Sequence, residues 1–146
     1  MELNTSRFGK LNIDTEAILL FPDGIVGFSG HRHWVLLREG KSATFGWLQS
    51  MTDPELAFAV VTPSSYVSDY ELRFRRDEVS TLPWAATDET LVLAIVSRND
   101  DLLTINLKAP VLINLDRCIG RQLLTCDDQP LQYVLPNQES PLRKSA

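Results

Sequence analysis

Apolar and polar positions alternate over short distances along this chain, and almost everywhere the period is that of a strand. Ala57-Phe58-Ala59-Val60-Val61 is an apolar run closed by Pro63, the pattern of a buried strand. Leu91-Val92-Leu93-Ala94-Ile95-Val96 predicts another and leads into the polar loop Arg98-Asn99-Asp100-Asp101. Leu103-Thr104-Ile105-Asn106-Leu107-Lys108 follows with apolar and polar residues alternating, which predicts a hairpin closed by that loop of four residues. Val111-Leu112-Ile113 comes after Pro110. Gln122-Leu123-Leu124-Thr125 and Leu131-Gln132-Tyr133-Val134-Leu135 flank the turn Asp127-Asp128-Gln129-Pro130. Earlier strand signals cover Ile18–Phe21, Trp34–Leu37 and Phe45–Gln49. One segment, Asp77-Glu78-Val79-Ser80-Thr81-Leu82, starts with acids and stops at Pro83, as a short helical turn would.

No long pattern of period 3.6 exists. Short strands with frequent turn residues predict an all-β fold: a small closed antiparallel barrel or barrel-like sandwich with at most one or two short helical turns. Five of the seven glycines lie between Gly24 and Gly46, which marks that stretch as loop-rich. Residues 1–135 are expected to form a single domain. Residues 136–146 are polar with two prolines and read as a C-terminal tail.

Length adds that 146 residues bury enough surface, roughly two thirds of that of the unfolded chain, to fold without a metal or disulfide. The 44% hydrophobic content is that of a globular domain. Fourteen Lys and Arg against nineteen Asp and Glu give a net charge of −5, which disfavours direct nucleic-acid binding and favours a basic partner. No apolar stretch is long enough for a membrane helix, and the N-terminus lacks the basic and apolar regions of a secretory signal, so a cytoplasmic protein is expected. The two cysteines, Cys118 and Cys126, form neither a CxxC pair nor a zinc pattern and are expected as free thiols.

Candidate chemistry is sparse. His31 and His33 are the only histidines. Their spacing would place both on one face of a strand, but no third metal ligand sits at a usable spacing. There is no nucleophile elbow, phosphate loop or dinucleotide fingerprint. Arg73, Arg75 and Arg76 form the one basic cluster. On a strand Arg73 and Arg75 would share a face opposite Leu72 and Phe74. The acidic pairs Asp77-Glu78, Asp88-Glu89, Asp100-Asp101 and Asp127-Asp128 read as turn or helix-start signals that together make an anionic surface. Trp47 fits either core packing or a partly exposed interface aromatic. No catalytic, cofactor or metal set emerges, so a non-enzyme is expected.

Several segments, in order, are similar to the FliW family of flagellar assembly factors. They are Thr5-Ser6-Arg7-Phe8-Gly9, Phe21-Pro22-Asp23-Gly24-Ile25-Val26-Gly27-Phe28, Phe45-Gly46-Trp47-Leu48-Gln49-Ser50 with Asp53-Pro54, and Leu56-Ala57-Phe58. The most specific is Asn106-Leu107-Lys108-Ala109-Pro110, followed by Ile113-Asn114, Arg117, Gly120 and Gln122. The resemblance covers residues 5 to 135 and implies a closed all-β domain that works by binding. It implies two partners: the RNA-binding translational repressor CsrA, which the protein antagonises, and cytoplasmic flagellin, held as by a chaperone. Flagellin export would then free the protein to relieve repression.

Within those motifs Phe8, Phe21 and Phe58 read as core, and Gly24, Gly27 and Gly120 as positions where backbone geometry demands glycine. Asn106 and Lys108 alternate with Ile105 and Leu107 and so are expected to point away from the core, which makes them partner-binding candidates. Gln49, Asp53 and Asn114 are further candidates. Asn106 and Asn114 also fit a second role, satisfying buried backbone groups. The alternative function is a small-ligand-binding β-barrel with regulation secondary, marked by an interior cavity with converging polar groups. A monomer without cofactor or membrane contact is expected.

Overall fold

The computed structural model describes residues 1–38, 45–80 and 87–135. The expected tail, 136–146, lies outside the described residues, as does the end of the expected helical turn at Thr81 and Leu82. Eleven strands are described: β1 (Glu2–Thr5), β2 (Gly9–Asn12), β3 (Leu19–Leu20), β4 (His33–Arg38), β5 (Phe45–Ser50), β6 (Ala57–Val61), β7 (Thr90–Asn99), β8 (Leu102–Ile105), β9 (Val111–Asn114), β10 (Ile119–Gln122) and β11 (Tyr133–Val134). Among the described residues helical structure is confined to the five-residue α1 (Arg76–Ser80) and two single 3-10 turns.

Seven strands close a ring in the order β7-β6-β5-β4-β3-β10-β9 and back to β7. Every pairing in the ring is antiparallel except β3 with β10, where Leu20 lies beside Ile119. Closure removes the sheet edges that an open sheet of this size would expose. The ten-residue β7 makes closure possible by serving three neighbours, with Ala94 and Ile95 paired to β6. Its first half, Thr90–Leu93, pairs with β9, and its second half, Val96–Asn99, leaves the ring to pair with β8. β11 then adds to β8.

Side-chain alternation splits the core into two clusters. Inside the barrel Phe21, Trp34, Leu48, Val60, Leu93, Val111 and Ile113 pack together. On the outer side Phe45, Trp47, Ala59, Val61, Ala94, Leu103, Ile105, Leu107 and Leu135 form a second cluster under the β8–β11 ribbon. β5 is therefore buried at all six positions, with Leu48 inward and Trp47 outward. The barrel interior is filled by these side chains. A cavity between Leu36, Phe45, Val60, Leu91 and Leu93 offers about 20 Å³, room for a water and not for a small ligand. The ligand-binding alternative finds no support there.

Two glycines earn their place by contact. A Cβ on Gly120 would lie 2.3 Å from the ring of fully buried Phe21. A Cβ on Gly24, which adopts φ +67°, would lie 2.5 Å from the Phe28 carbonyl oxygen. Gly27, at φ +87°, sits in open space and is required for its backbone angle alone.

The structure corrects several local expectations. The β7–β8 loop has two residues, because Asn99 pairs with Leu102 and only Asp100 and Asp101 lie between. Asp100 takes φ 56°, the left-handed angle such a tight loop requires at that position. Leu72 to Arg75 form no strand, so Arg73 and Arg75 share no sheet face. Instead they form exposed ion pairs, Arg73 with Glu71 at 2.9 Å and Arg75 with Asp77 at 3.5 Å. Strand β8 stops at Ile105, because Asn106 bends the chain. Leu123–Thr125 lies beyond β10. The β1–β2 hairpin, absent from the sequence reading, packs Leu3 and Ile13 over Val35 on the outer face of the barrel.

Candidate partner-binding site

Asn106 and Asn114 close the two ends of β9 by the same device. Asn106 Oδ1 accepts the backbone N–H groups of Lys108 and Ala109, both at 3.0 Å. Asn114 Oδ1 accepts those of Asp116 and Arg117, also both at 3.0 Å. In each case a short side chain stands in for a backbone carbonyl and fixes a turn. The second role weighed for these asparagines, satisfying backbone donors, is the one the structure displays. It also explains why Asn106 does not continue the outward alternation of β8.

Lys108 rides on the first of these turns. Its side chain is half-buried, and Nζ donates to the Asp127 carbonyl oxygen at 2.5 Å. The segment after β10 wraps the same turn. Thr125 N–H donates to the Lys108 carbonyl at 2.8 Å, and Leu107 N–H donates to that of Pro130 at 3.0 Å. Tyr70 O–H donates to the Leu107 carbonyl at 2.7 Å. Burial, with a smaller push from the Asp127 carboxylate, raises the Tyr70 phenol to about 12. The Asn106–Pro110 loop is thus held from three sides.

At the far end of β9, Asn114 is fully buried, and its Nδ2 donates to Asp88 Oδ2 at 2.8 Å. Arg117 Nε reaches the same oxygen at 2.7 Å, so one carboxylate oxygen ties residue 88 to the β9–β10 turn.

Gln49 and Asp53 belong to a different turn, between β5 and β6. Gln49 is fully buried. Its Nε2 faces the carbonyl oxygens of Ser50, Asp53, Pro54 and Leu56 at 3.0, 3.3, 3.5 and 3.2 Å. Four carbonyls converging on one nitrogen identify it as the donor end of the amide. Asp53 Oδ1 accepts Glu55 N–H at 3.0 Å, and Asp53 N–H donates to Ser50 Oγ at 3.0 Å. The structure therefore brings Gln49 with Asp53, and Asn106 with Lys108, while Asn114 stands at the other end of β9.

Trp47 resolves as core. It is covered edge-on by Phe8, with centroids 5.8 Å apart, and by the Arg7 guanidinium 4.2 Å above its ring. Phe21 is core as expected, while Phe8 and Phe58 are half-buried against the two clusters. His31 Nδ1 lies 3.3 Å from Thr52 Oγ1, a contact of loop residues. Among the described residues no group of three His, Cys, Asp or Glu is placed to hold a metal ion. Cys118 and Cys126 are free thiols. No helix among the described residues is long and apolar enough to cross a membrane.

Gln122 and Arg7 are among the motif residues to which the sequence assigned no role. Gln122 bridges loops, accepting Val26 N–H at 2.9 Å and donating to the Ala109 carbonyl at 3.0 Å. Arg7 caps Trp47. Their only sequence signal was membership of those motifs, because a long-range bridge leaves no local pattern.

The profile described as "FliW protein" matches residues 2–138. The chain is 31% identical to the flagellar assembly factor FliW of Magnetococcus marinus over all of this chain and 93% of that protein. It is 37% identical to that of Ruminiclostridium cellulolyticum, over 94% of this chain and 96% of the other. A solved structure of a flagellar assembly factor FliW superimposes with a TM-score of 0.85 at 28% identity, covering 96% of this chain and 100% of that one. Closed barrel, motif order and match over nearly the full length agree, and this chain belongs to the FliW family of flagellar assembly factors.

Proposed function

We propose that this protein works by binding and not by catalysis, with two protein partners in the cytoplasm: the RNA-binding repressor CsrA and flagellin. In this reading flagellin occupies the protein until export removes it. The freed protein then binds CsrA and weakens its hold on flagellin messenger RNA. Membership of the flagellar assembly factor family along nearly the whole chain is the observation that carries the reading.

The charge supports it. A net −5 disfavours contact with a phosphate backbone and suits docking on a basic RNA-binding protein, where it would repel the RNA. Exposed acids at Asp100, Asp101 and Asp128 put part of that charge on tight turns. The rigid turns support it too, since a loop already held in shape loses little entropy on binding. Lys108 and Asp53, both half-buried, are the proposed contact residues. Asn106, Asn114 and Gln49 shape the turns that present them. The protein acts as a monomer, without cofactor or membrane contact.

Calorimetric titration tests this, first against CsrA and then against flagellin. The expected result is saturable binding to each, with Lys108→Glu weakening at least one. Failure to bind either protein would overturn the proposal.

A further inference from the structure

We draw no further inference here: the strongest candidate, the surface patch of exposed Val26 and Leu124 beside the Gln122 bridge between the Gly24–Phe28 turn and the Asn106–Pro110 loop, carries nothing because nothing in the structure shows what covers it.

Discussion

Asn106 Oδ1 lies 3.0 Å from the backbone nitrogen of Ala109, a contact that helps turn the chain out of β8 and toward β9. The same oxygen holds Lys108 N–H at 3.0 Å. Asn106→Ala removes both bonds and leaves two donors in a half-buried loop, at a cost of roughly 1–3 kcal/mol. Asn106→Asp keeps the acceptor and should recover most of the loss. Urea unfolding of the two variants checks this; equal losses would mean that the side-chain oxygen does not hold the turn.

Gly120 and Phe21 form the second test. No methyl group fits at 2.3 Å from the Phe21 ring, so Gly120→Ala forces a fully buried aromatic to move. Overpacking of this kind costs roughly 1–3 kcal/mol. Phe21→Leu made together with Gly120→Ala should cost less than the sum of the two single changes, because the smaller side chain vacates the space. Thermal unfolding of the cycle reports the coupling; strict additivity would contradict the contact.

Asp100 occupies a left-handed backbone angle, φ 56°, in a two-residue loop. Glycine takes that angle without steric penalty. Asp100→Gly is expected to raise stability by up to about 1 kcal/mol, the relief of strain less the entropy glycine loses on folding. A clear loss in chemical denaturation would show that the aspartate side chain contributes more than its backbone strain costs.

Tyr70 gives a pH signature. Its phenol, about 12 in the folded protein against 10.0 for the free side chain, is raised by burial and by Asp127. A raised folded value means the unfolded chain gives up the proton first. The stabilising contribution is complete below pH 10 and is lost as pH rises from there toward 12. Stability should therefore fall across that window, and Tyr70→Phe should flatten the fall while lowering stability at neutral pH by removing the bond to Leu107. An identical alkaline fall in the variant would assign it to other groups.

The strands were legible where the pattern was local. Ala57–Val61 is strand β6 residue for residue, and Leu91–Val96 lies within β7. β5 was harder to place on a face, because both of its faces are buried and nothing alternates. The β1–β2 hairpin was missed because its strands have only four residues each, with few apolar positions. The motif residues of the candidate site were legible as a set and not by role. Asn106 and Asn114 look alike in sequence and act alike in structure. Gln49 reads as a partner-binding candidate and is fully buried, because the carbonyls that hold it come from residues up to seven positions away, in a turn whose shape no propensity encodes.

The most direct measurement of the central claim is displacement. CsrA bound to a labelled flagellin messenger RNA leader is titrated with this protein while fluorescence anisotropy is followed. The RNA is expected to be released as the protein is added, and flagellin added in excess to restore the complex. Anisotropy that stays high with the protein in excess over CsrA would contradict the account. So would a rise showing that the protein itself binds the RNA.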